Sequence, residues 1–205
     1  MLNNVPYNSA ILSSQNHGKN VGTTVFPSIF IISNDERIQL NVPYFSQLND
    51  ISDKVKEKVG STACGPAVVA MALKYIKLDV TLDNVISKLP NSVYIKGKGF
   101  NDILGASKYF DKESVKVAQN PKAIYETLKQ GFPVILNIQN FDGISGHAVL
   151  VTGIKGFDGK KAYSLIVNDP YYGSLMEYKY ISANSLLQPK GYINTIGPVQ
   201  PFYIK

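Results

Sequence analysis

The 205 residues contain one cysteine, Cys64, and two histidines, His17 and His147. A thiol and an imidazole can together perform nucleophilic chemistry. The imidazole takes the thiol proton and the thiolate attacks an electrophilic carbonyl. Cys64 lies in STACGPAVVAMAL, immediately before Gly65-Pro66. Proline suits the first turn of a helix, where its missing N–H costs nothing. The small and apolar residues that follow predict a buried helix over 62–77. A thiol at that helix start meets the positive end of the dipole and unpaired N–H groups, which favour the thiolate. The backbone N–H of Cys64 can help bind a developing oxyanion, and Gly65 leaves room for a substrate to approach. The plain alternative is a small thiol that fills core volume.

His147 opens an apolar run, GHAVLVTGI, that reads as a strand entered from a turn. Its ordinary pKa suits it to accept a thiol proton. His17 lies in a polar stretch and is a poor candidate. Asp169 ends the next strand, in LIVNDPYYG. Strands predicted over 147–154 and 163–168 are joined by Phe157-Asp158-Gly159-Lys160, a strong hairpin signal. An antiparallel pair brings the start of one strand near the end of the other, so His147 and Asp169 become neighbours. A carboxylate there can accept the His Nδ1–H, fix the tautomer and stabilise the imidazolium. Asn168 is the alternative orienting residue, and Asp169-Pro170 can also be a simple turn initiator. Gln47, in VPYFSQLND, lies upstream of Cys64, where its amide can point at an oxyanion. A surface glutamine is the other reading.

These residues need a frame to hold them. Residues 1–37 form a polar extension or linker rich in Asn, Ser and Gly, with Val25 to Ser33 as a candidate strand. A domain is expected over 38–205. IQLNVPYFSQ reads as an extended entry segment, and 49–61 as a polar loop or short exposed helix. Further helices are predicted over 81–89, 99–110 and 121–130, with Thr81 and Asn120 as caps. Strands are predicted over 133–139 and 175–180, beside the hairpin pair. Helices in the first half and antiparallel strands in the second give an α+β fold.

The succession VPYFSQ, ACGPAVVAMAL, GHAVLVTGI and VNDPYYG resembles the peptidases that remove double-glycine leaders from bacteriocins, and their stand-alone relatives. The resemblance covers about residues 38–185. It implies a papain-like cysteine protease fold in which a nucleophile helix packs on an antiparallel β-sheet. It also implies a catalytic set of Cys64 as nucleophile, His147 as base, Asp169 as orienter and Gln47 in the oxyanion hole, with no cofactor or metal. One departure stands out. Gln47 is 17 residues from Cys64, so the polar insertion 49–61 must loop out. No transporter helices or ATP-binding cassette are evident.

Composition excludes several other classes. The net charge is +6, yet only Arg37 among the 21 basic residues is an arginine, and the lysines are scattered. Arginine supplies most bidentate recognition of bases and phosphates, so nucleic-acid binding is not expected. No apolar run reaches the roughly 20 residues that span a bilayer. No signal-peptide pattern opens the sequence, so the chain reads as soluble, or as a module of a larger secreted protein. The expected function is cysteine-dependent amide hydrolysis, most simply of a peptide or protein substrate, in a bacterial protein. A toxin or effector module acting as deamidase or acyltransferase, with a cognate immunity or inhibitor protein, is the second reading. An inactive papain-like binding domain is the third.

Overall fold

The computed structural model describes residues 29–32 and 37–205. The expectations for the remainder of the N-terminal extension fall outside the described residues. In chain order the elements are β1 (Ile29–Ile32), β2 (Arg37–Leu40), α1 (Asp53–Val59), α2 (Cys64–Tyr75), α3 (Leu82–Lys88), β3 (Tyr94–Ile95) and β4 (Gly99–Phe100). A 3-10 helix (Leu104–Phe110), β5 (Ser114–Lys116), α4 (Pro121–Lys129), β6 (Val134–Gln139) and β7 (His147–Lys155) follow. The chain ends with β8 (Ser164–Asp169), β9 (Gly173–Ser182), β10 (Ser185–Leu187), β11 (Ile193–Ile196) and β12 (Phe202–Ile204).

The helix starts follow from local chemistry. Thr81 Oγ1 accepts the N–H of Asn84 while the Asn84 side chain accepts the N–H of Thr81, a reciprocal cap on α3. Asn120 accepts the N–H of Ala123, and Pro121 takes the first turn of α4. The helix expected over 99–110 is replaced by β4 and the 3-10 turn. Gly99 takes a φ of 106°, outside the helical region. Asp102 then accepts the N–H of Gly105 and starts a new turn. The segment 49–61 contains α1, whose Lys54, Glu57 and Lys58 face solvent while Val59 is buried.

Ten of the strands form one antiparallel sheet in the order β1-β2-β7-β8-β9-β10-β11-β6-β12-β5, in which β6 also pairs with β7, while β3 and β4 form a separate two-stranded sheet. That extra pairing closes β7, β8, β9, β10, β11 and β6 into a ring. Successive residues of β7 point to opposite sides. Ala148 and Leu150 meet the first apolar cluster, which includes most of α2. Val149 and Val151 meet the second, drawn from all six ring strands and α4. Helix α2 is buried at ten of its 12 residues, which explains its lack of a polar stripe. It packs across β7, so Cys64 at its start is delivered to the beginning of that strand.

Candidate active site

Cys64 is the first residue of α2, and Ala63 occupies the cap position without a side-chain bond. The free N–H groups of this first turn are therefore aimed at the thiol's surroundings. Cys64 is half-buried, and its thiol has the His147 ring and the backbone N–H groups of Ala148 and Gly65 as neighbouring donors. Burial pushes the thiol pKa up, but these donors and the imidazolium charge outweigh it and hold the group below its ordinary value.

His147 and Asp169 meet across the β7–β8 hairpin. The register pairs Leu150 with Asn168, which sets Val149 opposite Asp169 and His147 two residues further along the same face. Such diagonal neighbours are within reach of long side chains. The His147 Nε2 atom lies 2.8 Å from Asp169 Oδ1, and both residues are almost completely buried. The nitrogen differs from the expected one. Nε2, not Nδ1, meets the carboxylate. Nδ1 is thereby left for the thiol. Desolvation pulls the imidazole pKa down, yet the hydrogen bonds and charges of Asp169 and Cys64 raise it to about 9.

Asp169 is surrounded by donors. The N–H of Tyr171 donates to Oδ1 at 2.8 Å, that of Tyr172 at 3.3 Å, and the Tyr178 hydroxyl donates to Oδ2 at 2.5 Å. Burial opposes ionisation, but His147, Tyr178 and Tyr171 together keep the carboxyl pKa below its ordinary value. Asn168 points away from His147. Its Nδ2 donates to the Val42 carbonyl and its Oδ1 accepts the N–H of Leu175, so the amide is committed to backbone.

Gln47 is 2% exposed and is not among the cleft-lining residues. Its Nε2 donates to the Ser61 carbonyl at 2.8 Å, and its backbone N–H donates to the Pro170 carbonyl at 2.9 Å. The excursion between residues 47 and 61 therefore leaves and returns at the same place. Tyr44 extends this strap, donating its hydroxyl to the Asp169 carbonyl at 3.0 Å.

Three residues of the site carry no local sequence signal. Tyr178 and Tyr44 are described above. The third, Phe141, is fully buried and stacks on the His147 ring at 3.8 Å between centroids and 20° between planes. Its neighbours Asn140 and Asp142 both take positive φ, 58° and 43°. These angles belong to the tight turn that the backbone bonds between Phe141 and Ile144 close.

The thiol opens on a cleft of about 390 Å³ lined by Cys64, Gly65, Phe100, Asn137, Ile144 and His147, among others. The space expected to admit substrate at Gly65 is taken by Phe100. A Cβ on residue 65 would lie 2.2 Å and 2.3 Å from the Phe100 ring carbons. Gly65→Ala is expected to cost about 1–3 kcal/mol through this overlap, read as a lower urea midpoint at unchanged slope. Adding Phe100→Ala should recover most of the loss, whereas a failure to recover would place the strain elsewhere.

Residues 39–192 match the family described as Peptidase_C39 like family. The chain belongs to this family. Among solved structures it is similar to a Bacillus anthracis protein described as a C39-like peptidase, at 15% identity over 80% of this chain and 100% of that one, with a TM-score of 0.47. It is also similar to the peptidase domain of Streptococcus ComA, a bifunctional ABC transporter involved in quorum sensing. That match has 21% identity over 56% of this chain and 76% of that one, with a TM-score of 0.37. No curated protein matches the chain. Among the described residues no helix is long and apolar enough to cross a membrane, and no group of three or more His, Cys, Asp or Glu could hold a metal ion.

Proposed function

We propose that this protein is a papain-like cysteine peptidase in which Cys64, His147 and Asp169 form the catalytic triad. The observation that carries the reading is the chain of contacts from the Cys64 thiol through the His147 ring to the buried Asp169 carboxylate. The thiol is held low and the imidazole high, so across the intervening pH range the pair is thiolate and imidazolium. The thiolate forms a bond to the scissile carbonyl carbon, and the π electrons move onto oxygen. Backbone N–H groups at the start of α2 receive that oxyanion, while Gln47, its Nε2 on the Ser61 carbonyl, braces the segment that leads into the helix. Collapse expels the amine, which takes the imidazolium proton. A water that gives its proton to His147 then attacks the thioester carbonyl, and departure of the sulfur releases the acid and regenerates the thiolate–imidazolium pair.

The test is the pH dependence of both alkylation and turnover. Cys64 should react with iodoacetamide faster in the folded protein than in the urea-unfolded chain at about pH 6, where an ordinary thiol is almost fully protonated. Cleavage of a peptide library should rise below the usual thiol range and fall as His147 loses its proton near pH 9. Equal alkylation rates in the folded and unfolded states would end this reading.

A further inference from the structure

Asp169 is a completely buried carboxylate whose ion-pair partner is His147, with no lysine or arginine paired to it among the described residues. Burial alone favours the neutral acid, which would orient His147 without stabilising its charge. Oδ1 is already served by His147 and by the N–H groups of Tyr171 and Tyr172. Oδ2 has the Tyr178 hydroxyl, itself in a fully buried ring on β9. Gln188 Oε1 stands 3.3 Å from the same hydroxyl. The shorter contact to the carboxylate claims the single proton.

We infer that Tyr178 is a positioning residue that keeps Asp169 ionised and rotated so that Oδ1 faces His147. The inference rests on the triad reading above. Burial and the adjacent carboxylate push the phenol pKa far up, so Tyr178 stays a donor throughout the working pH range. The titratable groups that face this pair are His147 on β7, Tyr44 on the 41–47 strap and Tyr172 on the turn after β8. Cys64 acts on it through His147.

The test reads Cys64 alkylation by iodoacetamide against pH in four proteins: wild type, Tyr178→Phe, Asp169→Asn and the double variant. Phenylalanine keeps the ring and removes only the hydroxyl. A lost donor raises the pKa of the anion it served. Asp169 therefore takes up its proton at higher pH, and the acid limb of the Tyr178→Phe profile moves up by about one pH unit. In the Asp169→Asn background no carboxylate remains for Tyr178 to hold ionised, so the added Tyr178→Phe change leaves the thiol's own acid limb where it was. An acid limb unmoved by Tyr178→Phe, beside a wild-type thiol that is activated, overturns the inference and spares the triad. An equal shift in both backgrounds overturns it also, since that is the mark of a general packing effect. A wild-type thiol no more reactive than in the unfolded chain overturns the triad and this inference together. Should Tyr178→Phe not fold, Tyr178→Met fills much of the same volume without a hydroxyl and reads the same limb.

Discussion

Replacing Cys64 by alanine is expected to abolish turnover, by on the order of 10⁶-fold in kcat, while the protein still folds. The loss is total in practice because no other described side chain in the cleft is a comparable nucleophile. Thr62 Oγ1 already donates to the Val59 carbonyl at 2.6 Å. Folding survives because alanine removes a single sulfur from the edge of the core, which α2 builds from the ten buried residues after it. Circular dichroism and a melting profile check the fold, and peptide cleavage checks the chemistry. Cleavage retained within tenfold of wild type would remove Cys64 from the mechanism.

Asp169→Asn should cost far less, and the reason lies in the donors around Oδ1. A buried amide in place of the triad carboxylate can reverse the imidazole tautomer, an error worth about 10⁴-fold. Here the N–H groups of Tyr171 and Tyr172 both point at the Oδ1 position. They hold an acceptor oxygen there and send the amide NH₂ toward Tyr178, whose hydroxyl can turn to accept it. His147 thus keeps its acceptor on Nε2 and its free Nδ1 toward the thiol. What is lost is the charge, worth about 2–3 kcal/mol, or roughly 30–150-fold in kcat/KM. The sign of the accompanying pH effect follows from the raised imidazole. Without the carboxylate charge the imidazolium is less stable, so the alkaline limb moves down from about 9. A loss near 10⁴ with an unmoved limb would mean that the amide had flipped.

The parts of this site that could be read in the sequence are those fixed by neighbours along the chain. Pro66 after Cys64 announces the start of α2, and the Asp158-Gly159 turn announces the hairpin that joins His147 to Asp169. Both are local devices. The choice of Nε2 over Nδ1 is not local, since it is made between β7 and β8. Tyr178, Phe141 and Tyr44 are three among 13 tyrosines and nine phenylalanines, and they reach His147 and Asp169 from three separate places, β9, the loop after β6 and the strap after β2. The strands β10 to β12 are three or four residues long and separated by connections that carry Gly and Pro, too short for a period of two to stand out. The helix expected over 99–110 shortens to the 3-10 helix Leu104–Phe110, because Gly99 at its predicted start takes a positive φ and enters a strand instead.

Gln47 and Ser61 touch at 2.8 Å while 13 residues run between them. This contact works as a clasp. It pins the strap to the base of α2, so the chain beyond it can lengthen or shorten without shifting the geometry at Cys64. Entropy penalises such a change only weakly, by about 0.6 kcal/mol for each doubling of a flexible loop. The wide spacing between Gln47 and Cys64 is therefore a licence for divergence. This stretch can acquire new surface, and new recognition, while the chemistry beneath it stays fixed.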